Sequence, residues 1–292
     1  MASQREVDGT LAGTSEAVAR ARAARLRRRR FVSRAASLPV LREELRAANT
    51  EDGLSAFVAR LAADPRAGAA AIRRQGARRL EKLRREAARQ RGLRVVRRVL
   101  RGRGFAHIAG VDEAGMGPLA GPVVAAAVIL PDDEHLEGID DSKRLSAEMR
   151  CELAAAIREQ ATSFAVARAE PREIDHVNIY QAGLLAMRRA VLALRPAPEH
   201  VLVDARRIPG LALPQTPIIR GDARDASIAA ASILAKVARD EEMAALDKRY
   251  PHYGFAKHKG YPTPQHLAAL ARHGPSVVHR RSFGPVARCI AP

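Results

Sequence analysis

Four acidic residues stand where apolar segments end. Asp112 and Glu113 follow the apolar "IAGV", Asp204 closes "VLVDA", and Asp222 follows "PII" ahead of a long helical stretch. Strand ends in open α/β sheets are where ligands collect. Carboxylates gathered at such a place repel one another and require a cation, and an oxygen-only donor set suits Mg²⁺ or Mn²⁺. Two such ions about 4 Å apart activate a water and stabilise the leaving oxygen in phosphodiester cleavage. Their charge also removes the need for a histidine base. By position alone the same acids also suit turns, helix caps and open surface, because spacing along a chain does not establish convergence.

Other residues near these acids have chemistry to offer. The stretch "VDEAGMGPLAGP" places Gly115 and Gly117 around Met116, directly after the acid pair. In the long helical stretch, Ser232 and Lys236 are four apart and share a face beside the apolar stripe Ile228, Ala231, Ala235 and Ala238. A hydroxyl and an ammonium there suit phosphate contacts. They equally suit an ordinary amphipathic helix with polar flanks.

These residues need elements to hold them. Phe105 to Val111, Val123 to Leu130, Ser163 to Arg168 and His200 to Asp204 are short and apolar, as strands are. Between them Ala147–Ala161, Gln181–Ala193 and Ala226–Tyr250 carry helical spacing. Strands alternating with helices predict an α/β domain over 105–292. The short Gly/Pro turn after Asp112 predicts that the first two strands pair antiparallel. Thr263 and Pro264 read as an N-cap and first helical position, and His273-Gly274-Pro275 as the end of that helix.

The first third of the chain differs. Residues 1–104 hold 27 Lys and Arg against 10 Asp and Glu, a net of +17 out of +18 for the whole chain of 292 residues. That imbalance favours a polyanionic partner, most often nucleic acid, although an arginine-rich solvated surface has the same composition. Residues 1–35, with Arg27 to Arg30 in a row, are expected to be a disordered basic tail. Residues 36–104 are expected to be a small basic helical module. Leu54, Phe57, Val58 and Leu61 form one helix stopped at Asp64-Pro65, and a second starts near Ile72 with its opposite face Arg and Lys. The 2 cysteines are too few for a disulfide scaffold, and no segment is long and apolar enough to span a membrane. A reducing, cytoplasmic location is expected.

Six segments together resemble ribonuclease HII: "IAGVDEAGMGPLAGPVVAAAV", "DDSKRLS", "VLVDA", "RGDARDASIAAASILAKVARD", "YPHYGFAKHKGYPTPQHLAAL" and "HRRSFGPV". They occur in the family's order and are spread across nearly all of 105–292. Residues 54–104 resemble an N-terminal helical extension that some members carry. The resemblance implies a ribonuclease H-like fold, a five-stranded mixed sheet flanked by helices. It implies endonucleolytic cleavage of the RNA strand of RNA–DNA hybrids and of duplex DNA 5′ to a single embedded ribonucleotide, leaving 5′-phosphate and 3′-hydroxyl ends. A monomer with Mn²⁺ or Mg²⁺ as cofactor, two ions acting together, is expected.

Carried over residue by residue, the resemblance assigns catalysis and metal binding to Asp112, Glu113, Asp204 and Asp222. It assigns recognition of the ribose 2′-hydroxyl to the backbone of Gly115, Met116 and Gly117, where glycine allows close approach. Tyr261 takes the sugar-packing role, and Ser142, Lys143, Ser232 and Lys236 the substrate-phosphate contacts. Two positions depart from the family pattern: Met116 stands where a basic residue is usual, and Pro262 where glycine usually follows the tyrosine. A nucleic-acid-binding protein that kept the fold without efficient cleavage, and a different metal-dependent nuclease on the same fold, are the alternatives. The complete set of acids argues against the first, and "GMGPLAGP" with Tyr261 against the second.

Overall fold

The computed structural model describes residues 36–132, 136, 138–140, 142 and 145–290; the tail expected over 1–35 and the site residue Lys143 lie outside the described residues. The chain divides into two compact units between Gln90 and Arg91.

The first unit is helical: α1 (Leu38–Ala47), α2 (Glu51–Arg60) and α3 (Ala67–Gly92). Thr50 caps α2 by accepting the Gly53 amide at 3.1 Å, with Glu51 and Asp52 in the first turn. Leu41, Leu45, Leu54, Phe57, Leu61, Ile72 and Leu80 bury one another. Between α2 and α3, the Asp64 carboxylate holds Arg66 by its amide at 3.0 Å and its guanidinium at 2.6 Å. The Arg79 guanidinium reaches across to the carbonyls of Leu45 and Ala48 (3.0 Å for the latter), closing the C-terminus of α1.

The second unit contains α4 (Val95–Gly102), β1 (Ile108–Ala114), β2 (Val123–Ile129), α5 (Ala147–Gln160), β3 (Ser163–Ala169), α6 (Pro171–Val177), α7 (Ile179–Ala193), β4 (His200–Asp204), β5 (Gln215–Ile218), α8 (Ala226–Arg249), α9 (Phe255–His258), α10 (Pro264–His273) and α11 (Gly284–Ala287). Helix α4 belongs here because Leu100 packs with Ile108, Leu202 and Ile228, so the division lies before α4 rather than near residue 104.

The sheet has five strands in the order β3-β2-β1-β4-β5. The expected antiparallel pairing of β1 with β2 is present, β2 pairs antiparallel with β3, and β1–β4 and β4–β5 are parallel. Strand β2, VVAAAVI, is buried along its whole length because helices cover both faces. On one face Ala125 and Ala127 meet Ala182, Ala186 and Ala190 of α7. On the other, Ala126 and Val128 meet the alanines of α8 and Leu153 and Ile157 of α5.

Small residues bring these layers close. At Gly110 in β1, a Cβ would sit 2.2 Å from the Ser227 carbonyl carbon and 2.3 Å from the Ile228 nitrogen. The start of α8 therefore lies directly on β1, and only glycine permits it. Asp225, fully buried, caps α8 by accepting the amides of Ser227 at 2.8 Å and Ile228 at 3.3 Å.

Several expected boundaries move. Strand β1 runs to Ala114, because Glu113 and Ala114 still pair with Ala125 and Val124. The acid pair is thus inside the strand's last turn of pleat rather than beyond it. Helix α7 begins at Ile179, with Asn178 accepting the Gln181 amide at 3.0 Å. Residues 171–177 form α6, started by Pro171 and a Glu170–Glu173 capping box. Strand β5 contains Pro217, which a sheet tolerates because β5 is an edge. Among the described residues no helix is long and apolar enough to cross a membrane.

Candidate active site

Asp112 lies two residues from the end of β1, and Asp204 is the last residue of the parallel neighbour β4. Val111 pairs with Val203, so the two acids come side by side at one end of the sheet. Strand alternation sends Asp112 toward α8 and Glu113 toward α7. A cleft of about 320 Å³ opens at this end and is lined by Asp112, Glu113 and Asp204. The Gly115–Gly117 loop, Ser142, Ser232, Lys236, Arg239 and Tyr261 complete it.

Three carboxylates around one cleft shape its electrostatics. Asp112 is 5% exposed, and burial first, then the charges of Glu113 and Asp204, push its carboxyl well above the usual carboxylate range. Hydrogen bonds work in the other direction: the Glu113 amide donates to Asp112 at 2.7 Å, and the Ser232 hydroxyl bonds the same carboxylate. Ser142 and Ser232 are 3.0 Å apart through their hydroxyls and both are buried. Ser232 thus stands between Ser142 and Asp112. Both serines, expected to contact phosphate, also line the cleft.

Asp222 does not line the cleft. It is buried in a 3₁₀ turn, Gly221–Ala223, whose first amide donates to Asp204 Oδ1 at 2.7 Å. The turn thus ties Asp222 to Asp204 through backbone. Among the described residues no group of three or more Asp, Glu, His or Cys side chains is arranged to hold a metal ion. The chemistry of the donor set nevertheless fits a hard divalent cation: the cleft offers carboxylate oxygens, and their mutual repulsion is what such an ion relieves.

The glycine loop is held from behind by two arginines that sequence reasoning missed. Arg280, fully buried, donates to the carbonyls of Gly115 (2.7 Å), Met116 (3.2 Å), Gly121 (3.0 Å) and Pro122 (3.2 Å). Arg239, 1% exposed, donates to Pro122, Ala120 and Lys259. Burial, with Arg239 beside it, pushes Arg280 down to about 9. Gly115 has φ +98, and a Cβ there would fall 2.1 Å from Arg239 Nε. The loop's carbonyls therefore face the arginines, and the amides of Met116 and Gly117 donate to no group among the described residues. The motif "HRRSFGPV" contains Arg280, but nothing in its pattern distinguishes a buried arginine from a surface one.

Met116 is partly buried against the α7 face, and its sulfur lies 3.0 Å from where a Cβ at Gly183 would be. An unbranched thioether fits over a glycine in this way. A Cβ at Gly117 would be 3.5 Å from the Tyr261 ring, so the loop and the tyrosine lie next to each other along the cleft. Tyr261 is held by its backbone. Its amide donates to His258 and its carbonyl accepts from Thr263 at 2.8 Å and from the His266 ring at 2.9 Å. Pro262 leaves all three bonds in place. His266 in turn meets His279 at 3.1 Å, and His279 accepts the Ser276 amide at 3.0 Å. These buried rings are neutral; burial foremost pushes His279 down to about 4. Lys236 lines the cleft with its ammonium 2.7 Å from Asp240.

Comparison with known proteins identifies the family. The ribonuclease HII family model matches residues 109–286. A ribonuclease HII of Myxococcus xanthus is 59% identical over 227 residues, covering 77% of this chain and 78% of the relative. One from Geobacillus thermodenitrificans is 58% identical over 208 residues, covering 70% of this chain and 80% of the relative. The crystal structure of ribonuclease H2 from Pyrococcus horikoshii superposes with a TM-score of 0.54 at 27% identity, covering 63% of this chain and 96% of that one. The chain belongs to the ribonuclease HII family and is a type 2 ribonuclease H, an endoribonuclease.

Proposed function

We propose that the cleft hydrolyses the RNA strand of RNA–DNA hybrids and cuts duplex DNA 5′ to a single embedded ribonucleotide, leaving 5′-phosphate and 3′-hydroxyl ends. The observation that carries this reading is the junction of two features at one sheet end: three carboxylates around a cleft, and a glycine loop whose open amides border it. The carboxylates of Asp112, Glu113 and Asp204 would hold Mg²⁺ or Mn²⁺, with Asp222 supplied by the turn bonded to Asp204. When bound, two such ions supply an activated water and charge stabilisation for the leaving oxygen.

The chain's own residues do the rest. Ser232 and the Glu113 amide orient the Asp112 carboxylate. The amides of Met116 and Gly117, fixed by Arg280 and Arg239 behind them, meet the ribose 2′-hydroxyl, the group that separates RNA from DNA. Tyr261, 44% exposed and lining the cleft beside the loop, packs on the sugar. The basic helical module and the tail supply non-specific phosphate attraction. The test is incubation of a 5′-labelled RNA–DNA hybrid with Mg²⁺ or Mn²⁺. Internal RNA cuts with 3′-hydroxyl ends are expected; 3′-phosphate ends or an uncut hybrid would overturn the reading.

A further inference from the structure

The cleft must accept a polyanion while three carboxylates face it, and most of its described cations are engaged. Arg239 is bonded to three backbone carbonyls, Lys236 is paired with Asp240, and Met116 brings no charge. Arg206 differs. It follows the last strand residue Asp204 by two positions and is held by a strained turn. Ala205 has φ 55 with its amide on the Ile218 carbonyl at 2.9 Å, and the Arg206 amide returns to the Asp204 carbonyl at 2.7 Å. A left-handed alanine costs about 1 kcal/mol or more, and such strain clusters at functional sites.

The side chain is equally well placed. Its Cζ lies 4.9 Å from the centroid of the Tyr180 ring, on the first turn of α7. Its Nη1 is buried and ion-paired with Glu113 Oε1 at 3.7 Å, too far for a hydrogen bond, so it is the rest of the guanidinium that is free to face solvent. The stack on Tyr180 fixes the guanidinium plane, so little entropy remains to be lost on binding. The side chain is 28% exposed, so it reaches solvent at the α7 side of the cleft. Planar guanidinium groups with open donors are suited to phosphate oxygens.

We propose that Arg206 is a substrate-binding residue, its stacked guanidinium contacting a backbone phosphate of the nucleic acid on the α7 side of the cleft. This rests on the functional reading above. Arg206 complements the opposite wall, where Tyr261 and Lys236 lie, so the strand is gripped from both sides of the acids. Its charge beside Glu113 also reduces the repulsion an incoming phosphate meets there.

The test is binding of a labelled RNA–DNA hybrid to the full chain without divalent metal, measured by fluorescence anisotropy across monovalent salt concentrations. One phosphate contact contributes about 0.9 to the slope of log affinity against log salt, which is about eightfold in affinity near 0.1 M. Arg206→Gln is expected to bind about eightfold more weakly there, with a slope shallower by about 0.9 and convergence on the natural protein near 1 M. Arg206→Leu, which keeps an apolar contact with Tyr180, should match it, and Arg206→Lys should retain the slope. Melting curves select the folded variants, and either neutral variant suffices. An unchanged slope and affinity overturns the proposal, including the case where cleavage falls while binding does not, which would make Arg206 only a support for Glu113. Failure of the natural protein to cut the hybrid once Mg²⁺ or Mn²⁺ is added would overturn the functional reading instead, leaving the binding result to judge Arg206.

Discussion

Replacing Arg280 by methionine isolates what the buried arginines contribute. The new side chain has similar length and no donors, so the loss is confined to hydrogen bonds and charge. Four carbonyls lose a partner: those of Gly115, Met116, Gly121 and Pro122. Pro122 keeps Arg239 at 3.3 Å, so three are left unpaired at a site with no exposure at Arg280 itself. An unpaired buried acceptor costs about 1–3 kcal/mol. Removing one of two adjacent buried cations offsets part of that, since burial and Arg239 already disfavour the charge on Arg280. A net destabilisation of about 3 kcal/mol follows. For a unit of about 200 residues, each kcal/mol moves the melting point by roughly 2–4 °C, so a fall of about 6–12 °C is expected by calorimetry. Arg280→Lys, which can restore one or two of the bonds, should fall between. A melting point within 2 °C of the natural protein (roughly the resolution of that scale) would refute the reasoning, because the loop would then be held by something else.

Other outcomes follow from the same geometry. Asp112→Asn should abolish cleavage while raising the melting point of the metal-free protein, because the charge it removes is disfavoured by burial, Glu113 and Asp204; turnover near that of the natural protein would contradict the assignment. A chain starting at Arg91 should fold, since the compact units divide there and α4 is retained, but should bind duplex with a much shallower salt dependence. Aggregation or an unchanged slope would count against it. The His279 ring sits at about 4 against 6.5 when unfolded, so the unfolded chain binds more protons between those values. Its contribution is complete above pH 6.5 and falls as the pH drops toward 4, with roughly 2–3 kcal/mol lost by pH 4.5. Urea unfolding at several pH values should therefore show stability falling on acidification, and His279→Gln should flatten that dependence.

What the sequence made legible were features with a local cause. The β1–β2 hairpin followed from a short Gly/Pro connection, and α10 from Thr263 and Pro264, whose cap bond to the His266 amide is 3.2 Å. The acids were found because each ends an apolar run, and three of them do share a cleft. What stayed hidden depends on contacts far apart in the chain. Arg239 and Arg280 meet loop carbonyls more than a hundred residues away, and composition marks arginine as a surface residue. Ser142 and Ser232 are 90 residues apart, and nothing local shows that they bond each other. Strand β5 was obscured by Pro217, and Asp225 by its nearness to Asp222, although its spacing before Ser227 is that of an N-cap. Met116 looked anomalous until Gly183, on another element, gave it a surface to rest on.

The central claim is that one cleft joins metal-dependent hydrolysis to recognition of a ribose hydroxyl. Its most direct measurement is cleavage of a DNA duplex carrying a single ribonucleotide, in Mg²⁺ or Mn²⁺, with an all-DNA duplex of the same sequence beside it. The account predicts one cut, on the 5′ side of the ribonucleotide, no cut in the all-DNA duplex, and no cut of either by Asp112→Asn. Binding without cleavage, or equal cutting of the two duplexes, would contradict it.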